Sequence, residues 1–494
     1  MIERPRQRRP AVAAFLSFLF PGLGQAYAGD RRLAALLSLP MLALIATGVL
    51  AFALGGRQAL NSLLSASFLT ALVALDVALL GWRLFAIAQV GFAQPSAASA
   101  TAATVAPSSS DRPSSTRRLG TILVVSLLLV TTTAMHAWAG LLVGQLNTTL
   151  GVVFSGGGRG AQPSNGQNSG PLNQPDYSWD GTDRINFLLL GIDARPGRPE
   201  NALTDTILAV SVDPVSKTAV MISVPRDTGF LPLPDRSVYA DGLYPNKINA
   251  LSTEASRNPV LWCPDLLPEA AEACGLRTLQ RSVGLYLGIS IHYYATIDLL
   301  GFTQMIDAVG GLTLCLPGKL VDTTYNPPGD FQPGRRGIEL PAGCTHYDGP
   351  HALAYARARK GYIEMPDGTR QQLDDFKRAD RQQQVLLELR REFAQLDLFF
   401  ELQDTLAAIG STVTTDFPRA KVGDLASLLP LITGPGIERI VLDLPRFVDP
   451  PVNPNVNYLL IARRDDVRAE MERLFGAENL EGWYVGTRRD APES

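Results

Sequence analysis

Long apolar runs occupy the first third of the chain and predict helices that cross a membrane. Leu33–Leu54, Leu60–Val90 and Leu119–Val143 are each long enough to span a bilayer as a helix. The earlier apolar stretch Ala11–Ala28 is interrupted by Pro21-Gly22-Leu23-Gly24, which favours a broken helix or a membrane-surface hairpin over a full span. The pattern therefore predicts an α-helical membrane region with three spans.

Arginines flank these runs unevenly and set the predicted orientation. The N-terminus is basic, and the turn between the first two spans carries only Arg57. Arginines also precede the first and the last span: Arg31, Arg32, Arg112, Arg117 and Arg118. Because positive residues favour the cytoplasmic side, we expect a multi-pass cell-membrane protein whose chain after residue 145 is extracytoplasmic. A crossing by Ala11–Ala28 would reverse that orientation, and the arginine distribution argues against it.

After Arg184 the hydrophobic pattern changes to short strands that alternate with helices. Ile185–Ile192 is a continuous apolar run, typical of a strand buried on both faces. Thr206–Val212 and Ala219–Val224 flank the turn residues Asp213–Lys217 and predict a hairpin. The alternation predicts a three-layer α/β/α domain with a central mixed sheet. Further predicted helices are Thr278–Leu287, Leu299–Val309, Ala379–Phe393, Leu425–Leu431 and Arg463–Leu474, and further predicted strands are His292–Ile297, Leu312–Leu316 and Ile440–Leu444.

Composition divides the chain into five predicted parts. The 95–118 loop is rich in Ala, Ser, Thr and Pro, and 146–183 contains a stretch rich in Gly, Asn, Ser and Pro, so both predict disorder or flexibility. The parts are the basic N-terminus with its hairpin (1–30), the membrane region with the 95–118 cytoplasmic loop (31–145), a linker (146–183), a catalytic domain (184–395) and the C-terminal part of the same α/β domain (396–494).

Charge and cysteine content narrow the function further. The chain has 494 residues and a net charge of −3, so no electrostatic argument favours nucleic acid as a partner. Its four cysteines all lie beyond residue 260, which fits two disulfides in an oxidising compartment, with four reduced buried thiols as the alternative. We predict Cys315–Cys344, at the end of one strand and in the return segment, and Cys263–Cys274, while two other pairings remain open.

The hairpin brings charged residues to one end of the predicted sheet. If its two strands pair about Val215, Asp205 lies opposite Pro225-Arg226, and Asp193 and Asp227 come to the same edge. Neighbouring carboxylates favour a cation, and guanidinium groups match phosphate oxygens. This arrangement predicts a metal-assisted phosphoryl site. The four histidines have no serine or cysteine partner that suggests a triad, so nucleophilic hydrolysis is not favoured.

A predicted helix adds a second set of polar residues. Asp375, Arg378 and Gln382 share one helix face and Arg381 lies at its margin, which suits a pyrophosphate clamp, although a solvated charged face is the alternative. Lys247 lies in a loop directly before another helix and is either a phosphate contact or a surface lysine.

The segment Asp348–Arg359 has two possible structures. Asp348 and Pro350 predict a short helix with Arg357 and Arg359 at its C-terminal end. A strand is the alternative, and it would place Tyr355, Arg357 and Arg359 on one face.

Eight ordered motifs resemble the LytR-CpsA-Psr family over residues 184–395. They are Phe187–Asp193, Thr204–Thr206, Ile222–Asp227, Lys247–Ala250, Asp307–Gly311, Leu340–Gly343, Ala352–Arg359 and Arg378–Gln382. The resemblance implies a magnesium-dependent phosphotransferase outside the membrane. Its expected partners are the lipid bilayer, a glycopolymer linked to a polyprenyl-pyrophosphate carrier, and a peptidoglycan acceptor.

The resemblance also implies roles for individual residues. Asp193 and Asp205 would hold magnesium, and Arg226, Asp227 and Asp375 are the catalytic candidates, with Asp375 as an accessory or base carboxylate. The residues expected to bind the pyrophosphate are Arg226, Lys247, Arg357, Arg359, Arg378, Arg381 and Gln382. Many members carry an arginine where this chain has Leu203, which removes one phosphate contact.

Two other functions are compatible with the same residues. The first is a polyprenyl-pyrophosphate hydrolase with water as the acceptor, and the second is a non-catalytic envelope receptor for polyprenyl lipids. All three functions need an apolar tunnel for the lipid. Its candidate walls are the apolar faces of Thr278–Leu287 and Leu299–Val309.

Overall fold

The computed structural model describes residues 9–92, 115–154, 179, 181–193, 202–264, 271–327, 336–393, 408, 410, 412–428, 436–451 and 458–480. The chain forms two compact units, Met1–Asn147 and Thr148–Ser494.

The N-terminal unit is helical. Its helices are α1 (Pro10–Leu19), α2 (Leu23–Ala28), α3 (Arg31–Leu63), α4 (Ala66–Gly91) and α5 (Ser115–Val153), and α5 continues into the second unit. The break between α1 and α2 confirms the predicted broken helix, since Gly22 there adopts φ 100°. Arg31–Leu50 within α3, Ala66–Gly91 and Arg118–Val153 within α5 are each long and apolar enough to cross a membrane, as predicted.

Both predicted linkers are shorter than the sequence indicated, because α5 is longer. Of the 95–118 loop, residues 95–114 lie outside the described residues and 115–118 belong to α5. Of the 146–183 linker, residues 146–153 also belong to α5, whereas 155–178 and 180 lie outside the described residues. Apolar residues up to Val153 continue the helix beyond the span that the sequence predicted.

The second unit is an α/β structure, which confirms the predicted fold class. Its strands are β1 (Ile185–Asp193), β2 (Leu203–Asp213), β3 (Thr218–Ser223), β4 (Thr228–Gly229), β5 (Leu231–Pro232), β6 (Leu243–Tyr244), β7 (Tyr293–Asp298), β8 (Leu312–Leu316), β9 (Lys319–Asp322), β10 (Ile338–Leu340), β11 (Gly343–Tyr347), β12 (Tyr362–Glu364), β13 (Arg370–Gln372), β14 (Val413–Thr415), β15 (Ile437–Val441), β16 (Val448–Asp449) and β17 (Leu460–Ala462). Its helices are α6 (Ile248–Arg257), α7 (Pro259–Trp262), α8 (Ala271–Leu287), α9 (Leu299–Ala308), α10 (Gly349–Arg357), α11 (Asp375–Phe393), α12 (Val422–Leu428) and α13 (Arg464–Phe475), with short 3-10 turns at Arg419–Lys421 and Ala477–Asn479.

The central sheet is mixed and has the strand order β14-β7-β1-β2-β3-β15. β1, β2 and β3 pair antiparallel, whereas β7 runs parallel to β1 and β15 runs parallel to β3. Leu208 pairs with Ser223 and Val212 with Ala219, so the predicted hairpin and its register are confirmed. Both outer strands come from the chain after residue 396.

Side chains alternate between two faces along these strands, so each face is covered by its own helices. Leu188, Ile207 and Ile222 belong to a buried cluster with side chains of α6, α8 and α13. Leu208 and Met221 belong to a second cluster, which includes side chains of α11 and α12. These two helical layers and the sheet between them make the three layers.

Several helices begin earlier than predicted, among them α8 at Ala271 and α12 at Val422, and one segment had an open alternative. α11 begins at Asp375, four residues before the predicted Ala379, because the Asp374 carboxylate accepts the N–H of Lys377 at 2.7 Å and caps the helix. The segment after Asp348 is the helix α10 and the strand alternative is wrong, since Asp348 Oδ1 accepts the N–H of His351 at 3.0 Å.

Both predicted disulfides are present. Cys315 and Cys344 are direct neighbours across the antiparallel pair of β8 and β11, and their bridge is exposed. Cys263 and Cys274 are bonded within the buried cluster beneath α6 and α8. The disulfides therefore differ in exposure, although each ties together neighbouring elements of the same unit.

Candidate functional site

Charged side chains from several elements meet where β1 ends and β2 begins. We call the set Asp193, Asp205, Arg226, Asp227, Lys247, Arg357, Arg359, Asp375 and Arg378 the Arg–Asp cluster. The sequence predicted that these residues have chemical roles. The structure places seven of them in one network of ion pairs, with Asp193 and Arg357 as a separate pair beside it.

The hairpin supplies the centre of the cluster. Arg226 follows β3 and its Nη1 lies 2.6 Å from Asp205 Oδ1 on the neighbouring strand. Its Nε lies 3.5 Å from Asp375 Oδ1 and 3.9 Å from Asp227 Oδ2. Arg226 is thus surrounded by three carboxylates, as the hairpin register predicted for Asp205.

The first turn of α11 contributes a buried pair. Arg378 is only 5% exposed. Its Nη2 lies 3.1 Å from Asp375 Oδ2 and also donates to the backbone carbonyl of Asp205 at 3.0 Å. The face of α11 that carries these two side chains is therefore turned toward the sheet, and the alternative of a solvated face is wrong for them.

The C-terminal end of α10 brings two more arginines. Arg357 Nη2 lies 3.2 Å from Asp193 Oδ2, and Arg359 Nη1 lies 3.6 Å from Asp375 Oδ1. Asp322, at the end of β9, accepts the backbone N–H groups of Arg359 and Lys360, both at 3.1 Å. This carboxylate fixes the chain directly after the helix and thereby positions Arg359.

Lys247 lies at the other end of the cluster, beside Asp227. It precedes α6, as predicted, and its Nζ lies 2.7 Å from Asp227 Oδ1. The predicted loop lysine is therefore an ion-pair partner of a nearly buried carboxylate.

Two of the predicted pyrophosphate ligands differ from the rest. Arg381 is 4% exposed, and its guanidinium donates to the backbone carbonyls of Tyr355 and Ala358. Its side chain ties α11 to the end of α10 in this structure, and its role as a pyrophosphate ligand stays a prediction. Gln382 lies at the cluster's edge and donates to the Ala356 carbonyl at 3.3 Å.

Several polar atoms of the cluster are buried without a hydrogen-bond partner. Among the described residues these include Arg226 Nε, Arg357 Nη1 and Arg378 Nε, together with the acceptor Asp375 Oδ1. Buried donors are almost always paired in proteins. Arg226 Nε and Asp375 Oδ1 face each other as an ion pair at 3.5 Å, which leaves Arg357 Nη1 and Arg378 Nε as the donors that an anion with several oxygens, such as a pyrophosphate, would suit.

The titration of the cluster reflects burial and the mixed charges. Burial raises the pKa of the Asp375 carboxyl, and Arg378 and Arg226 oppose that rise. Burial disfavours the charged form of Arg226, but Asp205 and Asp375 together raise the pKa of its guanidinium. Burial lowers the pKa of Arg378. Asp375 is therefore the carboxylate of the cluster best suited to take up a proton.

An apolar cavity of about 270 Å³ opens onto this cluster. Its lining includes Asp205, Arg357, Arg378 and Gln382 at the polar end. Its apolar lining comes from β1, β2, β7, β14, α9, α10 and α11: Leu189, Leu190, Leu208, Ala295, Ile297, Leu299, Phe302, Met305, Leu353, Ala356, Val385, Leu386, Leu389 and Val413. A ligand with a charged head and an apolar tail fits this combination.

Of the two helices predicted to line this cavity, one lines it and the other does not. Leu299, Phe302 and Met305 of α9 line it, as the apolar face of Leu299–Val309 predicted. The described residues that line the cavity include none from Thr278–Leu287. The apolar face of α8 packs instead into the core on the opposite face of the sheet. α10 and α11 take the place that was assigned to α8.

The fit for magnesium depends on two carboxylates. Within the described ranges, no group of three or more His, Cys, Asp and Glu side chains is placed to hold a metal ion. Asp193 and Asp205 belong to adjacent strands, and each has an arginine partner. Mg²⁺ is usually bound by one or two carboxylates plus substrate phosphates. The pair therefore fits a magnesium ion that binds together with a pyrophosphate, and the metal assignment stays a prediction.

Two residues near the cluster were missed from the sequence. Asp322 is the last residue of β9, a strand for which the sequence predicted no functional motif. Its partners Arg359 and Lys360 come much later in the chain. Tyr458 lies with its ring centroid 5.7 Å from Lys247 Nζ. No spacing signal connects either residue to the site, because each reaches it through pairing between distant strands. Leu203, in place of the family's arginine, is 38% exposed and pairs with Asp193.

Comparison with known proteins gives consistent matches. The chain matches the LytR_cpsA_psr family over residues 159–461. It is 28% identical to the polyisoprenyl-teichoic acid–peptidoglycan teichoic acid transferase TagU of Oceanobacillus iheyensis, over 62% of this chain and 78% of that protein. It is 29% identical to the cell wall biosynthesis protein LcpA of Corynebacterium glutamicum, over 47% of this chain and 42% of that protein.

Solved structures resemble the chain over a similar length. The crystal structure of B. subtilis TagV is 22% identical, with a TM-score of 0.43, over 59% of this chain and 97% of that one. The structure of TagT bound to LIIa-WTA is 20% identical, with a TM-score of 0.43, over 63% of this chain and 97% of that one.

Proposed function

The chain belongs to the LytR_cpsA_psr family, and we propose that it is a membrane-anchored phosphotransferase that moves a glycopolymer from a polyprenyl-pyrophosphate carrier to peptidoglycan. One observation carries the proposal. Arg357 and Arg378 line the polar end of an apolar cavity, and Arg226 lies next to them through its ion pairs with Asp205 and Asp375, so one site offers both a pyrophosphate clamp and a place for a lipid tail. The name of the Oceanobacillus iheyensis relative describes the same transfer for that protein.

The cluster would hold the substrate by its pyrophosphate. Arg226, Arg357 and Arg378 can each direct planar N–H donors at phosphate oxygens, and Arg359 and Lys247 add positive charge at the rim. The polyprenyl chain would then enter the cavity between the sheet and the helices α9 to α11. Because the arginines are fixed by carboxylates before substrate binds, the site is preorganised for developing negative charge.

Magnesium belongs to the proposal as a co-substrate ion. Asp193 and Asp205 would hold it, and when bound it would supply positive charge to the phosphate oxygens. Both carboxylates are also paired with arginines, which keeps the arginines next to the place where the ion and the pyrophosphate would bind.

The transfer requires one proton to leave the acceptor. A hydroxyl oxygen of peptidoglycan attacks the phosphorus that carries the glycan, the bond to the bridging oxygen breaks, and polyprenyl phosphate leaves. Asp375 is the candidate base for the hydroxyl proton, since burial raises the pKa of its carboxyl. Arg226, 3.5 Å from that carboxylate, positions it beside the phosphate.

We propose that this site lies on the extracytoplasmic side of a multi-pass membrane protein. Support comes from the three membrane-length helices, from the arginine bias of the loops around them, and from two disulfides in the domain. A reporter fused after Ser494 should be active only when it is exported. Activity of a cytoplasmic reporter at that position would contradict both the orientation and the cell-wall role.

Product analysis tests the reaction itself. The full-length protein in detergent is incubated with magnesium and a polyprenyl-pyrophosphate-linked oligosaccharide, with and without peptidoglycan fragments. We expect glycan phosphate attached to peptidoglycan and free polyprenyl phosphate in equal amounts. Release of glycan phosphate into water with the acceptor present would identify a hydrolase. Tight binding without any product would identify a lipid receptor.

A further inference from the structure

The Arg–Asp cluster has two chemically different ends. Asp205, Arg357 and Arg378 line the apolar cavity as well as the cluster. Asp227 and Lys247 do not belong to the cavity lining, and among the described residues Arg226 links Asp227 to Asp205 of that lining. A carrier lipid in the cavity would therefore direct its pyrophosphate toward Arg226 and whatever follows the pyrophosphate toward Lys247.

A strand pairing brings an aromatic ring to this second end. β17 pairs parallel with β4, with Leu460 opposite Thr228, and the N–H of Leu460 donates to the Asp227 carbonyl at 2.9 Å. Tyr458, two residues before Leu460, is thereby held beside Asp227 and Lys247. Lys247 Nζ lies 5.7 Å from the centroid of the Tyr458 ring and 2.7 Å from Asp227 Oδ1.

The environment of Tyr458 is unusual for a residue that only packs. The residue is 41% exposed, although β17 itself is mostly covered. Burial, and then the carboxylates of Asp227 and Asp375, raise the pKa of its hydroxyl, so the hydroxyl stays a proton donor in the field of the cluster. The end of the cluster away from the cavity thus offers a partly exposed aromatic ring with Lys247 on one side, a carboxylate and a hydroxyl.

We propose that Tyr458 and Lys247 form the binding site for the first sugar of the carrier-linked glycopolymer, at the end of the Arg–Asp cluster away from the cavity. This inference rests on the proposed function, since it takes the pyrophosphate to lie on the arginines. An aromatic ring covers the C–H face of a pyranose while its polar edge stays hydrated. Lys247 donates to sugar oxygens, and the Tyr458 hydroxyl donates or accepts at the rim.

The site also explains why an exposed tyrosine stands next to an ion pair. If Tyr458 only covered Lys247, its removal would disturb the ion pair between Lys247 and Asp227 and weaken every ligand of the cluster equally. If it contacts the sugar, its removal affects only ligands that carry one. A comparison of two lipids that differ by a single sugar separates these roles.

The test uses the full-length protein in nanodiscs and two probes, undecaprenyl pyrophosphate and undecaprenyl-pyrophosphoryl-N-acetylglucosamine. Dissociation constants are measured for the wild type, Tyr458→Ala, Tyr458→Leu and Tyr458→Phe. Tyr362→Ala is the matched control, because Tyr362 also stacks against a cation, with Arg370 4.4 Å from its ring centroid, but belongs neither to the cluster nor to the cavity lining.

We expect the wild type to bind the sugar-bearing lipid about tenfold more tightly than the bare pyrophosphate, on the scale of one aromatic contact. Tyr458→Ala and Tyr458→Leu should lose this preference and keep the affinity for undecaprenyl pyrophosphate within about twofold. Tyr458→Phe should keep most of the preference, and Tyr362→Ala all of it.

Three results would overturn the inference: a wild type without preference for the sugar, an unchanged preference in Tyr458→Ala, or an equal loss of both lipids in that variant. Failure of the proposed function gives a different result, in which the wild type binds neither lipid. Unchanged melting temperatures of the Tyr458 variants show that any loss arises at the site.

Discussion

The two faces of the central sheet are covered by helices of similar apolar character, yet they differ in what lies between sheet and helices. On one, the closed face, Leu188, Ile207 and Ile222 pack with α6, α8 and α13 into a continuous core. On the other, the open face, strand residues such as Leu208 and Ala295 line a cavity together with α9, α10 and α11. An apolar stripe on a helix therefore does not by itself tell a core face from the wall of a ligand site.

The two faces also have different expected roles within the domain. The closed face contains a buried disulfide and a continuous core, while the open face carries the Arg–Asp cluster at the cavity mouth. Substitutions on the closed face should therefore change stability, and substitutions on the open face should change binding or turnover. Four predictions test whether the two faces separate in this way.

The largest expected effect is on turnover, with Arg226→Lys at the cavity mouth. Lysine keeps the charge but cannot donate from a planar fork. Turnover should fall by about 10² to 10³, the range found when one preorganised donor is removed. The measurements are the rate of glycan transfer and the melting temperature of each protein.

Arg439→Lys is the matched control for Arg226→Lys. Arg439 also forms an ion pair, with its Nη2 2.6 Å from Asp380 Oδ1, but lies outside the Arg–Asp cluster. It should leave turnover close to that of the wild type. Near-normal turnover of Arg226→Lys with a lowered melting temperature would show that Arg226 only holds the end of the sheet.

The next largest effect is expected on the free energy of unfolding when each disulfide is removed. The double variant Cys263→Ala with Cys274→Ala should lower the free energy of unfolding by about 3 kcal/mol from the lost chain constraint, and further because its sulfurs fill the closed core. The pair Cys315→Ala with Cys344→Ala lacks that packing loss, because it is exposed. Chemical unfolding of the full-length protein measures both, and a larger loss for the exposed pair would contradict the contrast.

Added volume should have opposite consequences on the two faces. Ala209 is buried in the closed core, so Ala209→Leu should lower the free energy of unfolding by about 1 to 3 kcal/mol through overpacking. Ala295 lines the cavity, so Ala295→Leu should leave stability nearly unchanged and weaken lipid binding by about tenfold, as expected when methylene-sized contacts are blocked. Equal destabilisation by both variants would show that the open face is packed as tightly as the closed one.

The smallest expected effect is on the pH dependence of stability, through Asp416, which is hydrogen-bonded to β7. Asp416 Oδ1 accepts the N–H of Tyr294 at 2.7 Å, and burial raises the pKa of its carboxyl to about 7. Between its ordinary pKa and that value, the folded state keeps a proton that the unfolded state has released. Stability should therefore fall as pH rises, by about 1 kcal/mol per pH unit from pH 5 to 6.5.

Asp416→Asn should remove this slope. Burial lowers the pKa of His292 to about 4, which gives a slope of opposite sign, but it acts in both proteins and cancels in their difference. Unfolding free energies measured at several pH values give that difference. An identical pH dependence of the two proteins would show that Asp416 is ionised in the folded state throughout this range.

Much of the fold was accessible from local patterns. The three membrane-length helices, the hairpin with its register and both disulfides were predicted correctly, because each depends on apolar period, turn residues or short separations along the chain. The hairpin alone was enough to place Arg226 against Asp205. Element boundaries were less accurate, as with α11, whose start depends on the cap at Asp374.

Local sequence patterns established which residue types meet at the end of the sheet, whereas contacts between distant segments set the position of each of them. Arg378 and Arg381 stand three residues apart on one helix, yet one faces the cluster and the other holds two backbone carbonyls behind it. α8 and α9 carry comparable apolar stripes, yet only α9 borders the cavity. Tyr458 and Asp322 reach the site through pairing with strands or loops far away in the chain. The physical reason is common to all of these cases: local periodicity fixes which face of an element is apolar or charged, while the neighbour of that face is set by contacts between distant segments.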